Sequence, residues 1–339
     1  MSALAIKATA VYKDDNRSRY LDNLFRLQMA AGRYTDATAT LISLRSLAPG
    51  ATSAQARATL LLYAIFARAQ ATHGGMSFDS TFQRIFREAL TPLDDKTSWL
   101  LERPLVVYLP AFQQALNAAL AEHKDERAIS MADALKLIKA YEVEQLIARS
   151  QPLAAPIIDE DNRRRYIVET DIPVKTPDGA TVCTTIIRPR AVRARVPALL
   201  TFTIYAQPAP LLLEARRAAS RGYAGVIGYT RGKGCSPDIP IPYEHDGADA
   251  AALIDWISTQ QWSDGRVGMW GGSYSGFTQW AAAKHMPKAL KALMPQATAA
   301  PGIDVPMDGN LFLSFVYPWP FYTTDVKGLD DSTYNDRAR

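Results

Sequence analysis

Apolar residues recur at helical spacing through residues 16–149. Tyr20, Leu24, Leu27 and Ala31 follow one another at intervals of three and four residues, which is the period of a helix with one buried face. The same pattern predicts further helices over 35–47, 53–72, 78–90, 108–124 and 130–149. We therefore expect an all-helical N-terminal domain over residues 1–150.

The join between the first two of these helices has the sequence Gly-Arg-Tyr-Thr-Asp-Ala, at 32–37. It resembles the turn of a tetratricopeptide-type helical hairpin, and a stable solenoid needs about three such units. The sequence offers one. This domain carries no residue pattern that indicates chemistry, so an interaction with a protein partner through it is left open.

The pattern changes at residue 151. Pro152, Pro156 and the charged residues 159–165 break helices and bury little, which predicts a linker over 151–165. Short β-rich runs follow, with a turn sequence, Thr-Pro-Asp-Gly at 176–179, that predicts a hairpin. The predicted strands are 166–174, 181–188 and 197–204.

Helices and strands then alternate up to residue 294. Helices are predicted at 211–220, 249–260 and 273–285, and strands at 223–229, 266–270 and 289–294. Strands separated by helices of this length form parallel β-α-β units. We predict the α/β class: a mostly parallel, incomplete α/β-hydrolase sheet with an antiparallel entry hairpin over 166–300, preceded by the helical domain and followed by the start of a cap or lid over 301–339.

The residues Gly-Gly-Ser-Tyr-Ser-Gly at 271–276 join a predicted strand to a predicted helix. A serine in such a turn is exposed between small neighbours, and the helix N-terminus favours developing negative charge. Ser273 is thus the candidate nucleophile; the alternative is a structural serine that caps the helix. The match to G-x-S-x-G is imperfect, because Ser275 stands two residues after Ser273 and glycine follows at Gly276.

The segment from 166 to 320 resembles the Xaa-Pro dipeptidyl-peptidase and cocaine-esterase branch of the α/β-hydrolases. The residues that carry the resemblance are Ala218–Tyr223 with Thr230–Ser236, Ile254–Ile257 with Gln261–Met269, and Gly272-Ser273-Tyr274-x-Gly276. A tyrosine directly after the nucleophile is characteristic of this branch. Two features depart from it: Tyr229 stands where the family usually has aspartate, and the loop 236–245 is short and rich in proline.

The resemblance implies the roles of three residues. Ser273 attacks the substrate, the backbone N–H of Tyr274 donates to the oxyanion, and the hydroxyl of Tyr205 is the second donor. Ile204 precedes Tyr205 where the family usually has proline, and a packing tyrosine at a strand end is the alternative. The expected activity is serine hydrolysis of ester or Xaa-Pro peptide bonds in small molecules, with no cofactor and no metal.

The base is missing from the expected order of serine, acid and histidine. His285 is twelve residues along the same helix, about 18 Å from Ser273, and His245 precedes the nucleophile. Asp304 and Asp308 are weak candidates for the acid. The aromatic residues of 310–331 read as the start of a cap that lines an acyl pocket or packs internally. We expect a fragment or truncated form that is inactive alone; the alternative is a helical interaction protein with a vestigial hydrolase domain.

Composition narrows the remaining classes of function and location. The net charge of +4 comes from scattered arginines, which does not indicate nucleic-acid binding. The longest apolar run, 58–67, is about half the length of a membrane span, and residues 1–20 show no signal peptide. We therefore expect no membrane association and a cytoplasmic location as written, or a periplasmic or secreted one if the N-terminus is truncated. Cys183 and Cys235 are interpreted as two unpaired thiols, although a single bridge stays open.

Overall fold

The computed structural model describes residues 1–47, 53–72, 75, 77–124, 126 and 128–332. The chain divides into two compact units, residues 1–162 and 163–339. No helix within the described ranges is long and apolar enough to cross a membrane.

The regular elements that the structure describes in the first unit are all helices. Its helices are α1 (Ser2–Val11), α2 (Arg17–Ala30), α3 (Tyr34–Ser46), α4 (Ala54–Thr72), α5 (Phe78–Leu90), α6 (Asp95–Glu102), α7 (Leu109–Glu122) and α8 (Met131–Arg165). Polar side chains cap several of them. Asn16 accepts a hydrogen bond from the backbone N–H of Arg19, and Asp94 accepts one from that of Thr97, which satisfies donors that a helix start leaves free.

The core of this unit lies where the apolar faces of α2, α3, α4, α5 and α8 meet. Phe25, Leu41, Leu62 and Phe82 are fully buried there. The predicted hairpin is present in outline, because α2 and α3 pack together across the short turn 31–33. These contacts explain why the three- and four-residue apolar spacing predicted the helices well.

Residues 151–165 are helical, so the prediction of an irregular linker there is wrong. Helix α8 runs through Pro152 and Pro156 to Arg165. A proline inside a helix costs about 3 kcal/mol, and this stretch offsets the cost by burial. Ala154, Ile157 and Ile158 lie in the core, and the side chain of Gln151 donates to the carbonyls of Leu105 and Val107.

Glu142 of α8 is expected to make stability depend on pH. It is only 4% exposed, and burial raises the pKa of its carboxyl to about 8, against an opposing effect of Arg26. A folded pKa above the unfolded value means that stability is full below about pH 4.5 and is lost as the pH rises towards 8. As the pH rises from 5 to 8, the free energy of unfolding measured in urea should fall by up to about 4 kcal/mol.

Glu142→Gln should remove this slope, because the amide does not titrate. Glu160→Gln, an exposed position on the same helix, should keep it and is the matched control. A wild-type stability that is flat or rises over this range would contradict the assignment to Glu142.

The second unit is built on a six-stranded mixed sheet. Its strands are β1 (Tyr166–Lys175), β2 (Thr181–Pro189), β3 (Val196–Thr203), β4 (Ala224–Tyr229), β5 (Ser263–Ser273) and β6 (Leu290–Thr298), in the order β1-β2-β4-β3-β5-β6. β1, β2 and β4 pair antiparallel, whereas β4, β3, β5 and β6 pair parallel. The predicted fold class is confirmed: an α/β-hydrolase-like mixed sheet with an antiparallel entry hairpin, preceded by a helical region.

Helices cover both faces of this sheet. They are α9 (Pro208–Ala219), α10 (Asp246–Thr259) and α11 (Tyr274–Ala283). Val226 of β4 packs in the same core as Leu253 of α10, whereas its neighbour Ile227 packs with Ala215 of α9. Neighbouring strand residues thus face opposite helix layers, which explains why β4 is apolar throughout.

After β6 the chain forms a two-stranded ribbon and one short helix, and residues 333–339 of the predicted cap lie outside the described residues. These elements are β7 (Met307–Asp308), β8 (Leu311–Phe312) and α12 (Trp319–Thr324).

Cys183 and Cys235 form a disulfide bond, so the interpretation as unpaired thiols is wrong. β2 pairs with β4, which brings Cys183 beside the loop that follows β4, where Cys235 lies. The two residues are 52 positions apart in the sequence. Their spacing therefore carried no sign of the pairing, which depends on the sheet order.

Candidate active site

Ser273 lies at the junction of β5 and α11. It is the last residue of the strand, is exposed, and has φ 55° and ψ −121°. A positive φ is strained for any residue other than glycine, and such strain concentrates at functional positions. The turn lifts the side chain out of the sheet at the carboxyl end of the parallel strands, which is where α/β folds place ligands.

Close packing explains the small residues around Ser273. A Cβ atom on Gly276 would lie 2.6 Å from the Thr298 hydroxyl oxygen of β6, and one on Gly271 would lie 2.6 Å from the Cβ of Ser275. Both contacts are too short for a real side chain. Glycine at 276 is thus required by the approach of α11 to β6, and the departure from G-x-S-x-G preserves the turn.

Tyr274 is held by a buried polar network. Its ring is fully buried, and its hydroxyl donates to Oδ2 of Asp246 at 2.6 Å. Asp246 also accepts from the hydroxyl of Thr230 at 2.6 Å and from the backbone N–H of Tyr243 at 3.0 Å. Burial raises the pKa of both Tyr274 and Asp246. The network fixes the residue that directly follows Ser273, and with it the direction of its backbone N–H.

The place of Asp246 in this buried network was not predicted from the sequence. It is 0% exposed and its oxygens are occupied by the network, so it is not available to bind a substrate's amino group. Its sequence neighbours gave no sign of this, because its partners Thr230 and Tyr274 are 16 and 28 positions away.

Tyr205 is brought close to Tyr274. It follows β3 and is half-buried, and its ring centroid lies 6.1 Å from that of Tyr274. Its hydroxyl accepts a hydrogen bond from Nε1 of Trp319 at 3.2 Å. The structure therefore brings together all three residues predicted for the site, Ser273, Tyr274 and Tyr205, while their catalytic roles stay predictions.

Tyr205 and Tyr274 belong to an aromatic cluster. Its members pack ring against ring at 4.9–6.4 Å between centroids: Tyr205, Tyr243, Tyr274, Phe277 and Trp319. Burial raises the pKa of Tyr243 above its ordinary range. Of the aromatic residues predicted for the cap, Trp319 joins this cluster, whereas Phe312, Phe315 and Tyr317 are exposed.

His285 and His245, the two histidines considered as the base, contact other residues. A Cβ on Gly247, at the start of α10, would lie 3.1 Å from Nε2 of His285, so this side chain faces α10. His245 precedes α10, with Nε2 at 3.6 Å from a carboxylate oxygen of Glu244. Among the described residues, none is hydrogen-bonded to the Ser273 hydroxyl. Of the two acid candidates, Asp304 accepts from the backbone N–H of Ala300 and Asp308 is exposed in β7.

The loop after β4 is fixed by a buried ion pair. The guanidinium of Arg231 donates to both carboxylate oxygens of Asp249, at 2.6 and 2.8 Å, and to Asp178 of the entry hairpin at 3.0 Å. The bond to Asp249 is the largest cause of a raised Arg231 pKa. Thr176 and then Arg231 lower the pKa of Asp178 to about 2. The loop, the hairpin and α10 are thereby joined.

One group of potential metal ligands occurs among the described residues. Oxygen and sulfur atoms of Asp171, Cys183 and Cys235 lie within 4.8 Å of one another. Both sulfurs are already bonded to each other, so neither is a thiolate that could bind a metal.

The sheet, the strained strand–helix turn and the helices on both faces define an α/β-hydrolase-like domain. Residues 178–337 match the family described as X-Pro dipeptidyl-peptidase (S15 family). This match supports the resemblance expected from the motifs: residues 178–337 are similar to the X-Pro dipeptidyl-peptidase family.

Known proteins resemble part of the chain. The cocaine esterase of Rhodococcus sp. (strain MB1 Bresler) is 38% identical over 143 residues, which are 40% of this chain and 24% of the esterase. Among solved structures, a CocE/NonD family hydrolase from Staphylococcus aureus is 27% identical, with a TM-score of 0.34 over 38% of this chain and 27% of its own. An alpha-amino acid ester hydrolase is 26% identical, with a TM-score of 0.41 over 49% and 31%. The chain thus spans about a quarter of the esterase's length.

Proposed function

We propose that this protein is a serine hydrolase of ester or Xaa-Pro peptide bonds in small molecules, with Ser273 as its nucleophile. The single observation that carries the proposal is the strained, exposed serine at the end of β5, beside a buried tyrosine network. Strain of this kind is retained where it serves a function. The family match of residues 178–337 supports hydrolysis, and the printed names cover a peptidase family and a cocaine esterase.

The proposed reaction is acyl transfer in two steps. Oγ of Ser273 bonds to the substrate's carbonyl carbon as its proton leaves to a base, and the carbonyl electrons move onto oxygen. The backbone N–H of Tyr274 and the hydroxyl of Tyr205 stabilise that oxyanion. The C–O or C–N bond then breaks, and the alcohol or amine leaves with a proton. Water repeats the sequence on the acyl-Ser273 ester and releases the acid.

The base is not part of the described site, since His245 and His285 face other residues. A serine without a base stays protonated and reacts slowly at neutral pH. We therefore expect the 339-residue chain, produced alone, to hydrolyse esters little faster than buffer does. The protein in the form in which its own cells make it should be active.

The experiment measures the rates at which the 339-residue chain and the native form hydrolyse a p-nitrophenyl ester and an Xaa-Pro p-nitroanilide. Hydrolysis of either substrate by the native form supports the proposal, and the preferred one identifies the bond class. Hydrolysis of neither by the native form contradicts it. Ordinary enzyme rates from the chain alone, abolished by Ser273→Ala, would show that the expectation of an inactive chain is wrong.

A further inference from the structure

Lys233 lies in the loop after β4 and has no exposed surface. Its ammonium group donates to three backbone carbonyls, those of Thr323 and Val326, each at 2.6 Å, and that of Gly328. A buried ammonium is costly unless its three protons find acceptors. Here each proton has one, at the end of α12 and in the turn that follows it.

Lys327, in the turn after α12, makes the reciprocal contact with the loop after β4. Its ammonium donates to the carbonyls of Ser236 and Asp238 in the Lys233 loop, and its own carbonyl accepts from the backbone N–H of Gly234 at 3.3 Å. Cys235 ties the same loop to β2 through the disulfide bond. We call residues 319–328 the docked segment, since two lysines fasten it to a loop that is itself anchored to the sheet.

The docked segment begins with Trp319, whose indole N–H points at the hydroxyl of Tyr205. An indole nitrogen only donates, so the Tyr205 oxygen must be the acceptor in this bond. The phenolic proton of Tyr205 is then left for another acceptor. The indole stacks on Tyr243, at 5.7 Å between centroids. This stacking fixes the indole plane, and so keeps its N–H directed at the Tyr205 oxygen.

We propose that Lys233 is a positioning residue of the candidate site: it holds the docked segment so that Trp319 orients the Tyr205 hydroxyl as a donor towards the substrate oxyanion. The second half of the inference rests on the proposed function. The first half, anchoring of the segment, does not.

The test compares four proteins: wild type, Lys233→Met, Trp319→Phe and Lys291→Met. Lys291 is an exposed lysine with one backbone carbonyl as acceptor, and its variant is the matched control. Backbone hydrogen exchange of residues 319–328, followed by mass spectrometry, reports anchoring. The kcat and KM of the native form with the preferred substrate report the effect on Tyr205.

Lys233→Met should speed exchange of the docked segment about tenfold or more, because charged hydrogen bonds are lost. It should also lower kcat with little change in KM, since an oxyanion donor acts in the transition state. Trp319→Phe keeps the ring packing, so exchange should stay near wild type while kcat falls about 3- to 10-fold. Lys291→Met should change neither.

Two results would overturn the inference: unchanged exchange of residues 319–328 in Lys233→Met, or wild-type kcat in Trp319→Phe. If the wild-type native form hydrolyses neither substrate, the proposed function fails instead, and exchange alone then decides the anchoring role of Lys233.

Discussion

Ser273→Ala is expected to lower kcat of the native form by about 10³-fold or more, because removing a nucleophile abolishes the covalent route. The Ser273 side chain is exposed and hydrogen-bonded to no described residue. The fold should therefore be unaffected, and the melting temperature should stay within a degree or two of wild type.

The matched control is Ser275→Ala. This serine is two residues along the chain and buried against Gly271, so its replacement tests the packing of the turn without touching the candidate nucleophile. Activity within about threefold of wild type is expected, since the change removes a single hydroxyl group that has no part in the proposed reaction. A Ser273→Ala protein that retains wild-type kcat would exclude Ser273 as the nucleophile.

Asp249→Asn is expected to destabilise the protein by about 3–5 kcal/mol, because it leaves the Arg231 guanidinium buried without its main counter-charge. Arg231 is 8% exposed and Asp249 is 0% exposed, and two hydrogen bonds at 2.6 and 2.8 Å join them. The urea midpoint of the second unit should fall accordingly.

Asp178→Asn supplies the control, since Asp178 contacts the same guanidinium from an exposed position. Exposed pairs contribute about 0–1 kcal/mol, so this variant should unfold close to wild type. If the two variants lose equal stability, burial does not set the strength of the Arg231–Asp249 pair. If Asp249→Asn loses under about 1 kcal/mol, the pair does not hold the loop after β4.

Local periodicity was enough to predict most of the fold. The apolar runs of β4 and β5, the turn at 176–179 and the alternation with helices placed all six sheet strands near their observed positions. Each of these features depends on residues close together in the chain. The turn around Ser273 was predictable for the same reason, since its strand, its small residues and its helix are contiguous.

Contacts between distant residues were not predictable from the pattern. The disulfide bond, the Asp246 network and the Lys233 contacts join residues that are up to 95 positions apart. Helix α8 shows a related failure: prolines at 152 and 156 argue against a helix locally, but burial of Ile157 and Ile158 in the core outweighs that preference. In each case tertiary packing determines the local structure or the pairing, and the order of residues along the chain does not show that packing.

The most direct test of Ser273 as the nucleophile is to find which residue a serine-reactive phosphonate modifies. The native form is incubated with a fluorophosphonate probe, digested, and the modified peptide is sequenced by mass spectrometry, with Ser273→Ala and Ser275→Ala in parallel. One adduct is expected, on Ser273, present in wild type and Ser275→Ala and absent from Ser273→Ala. An adduct on another residue, or no adduct on a protein that hydrolyses esters, would contradict it.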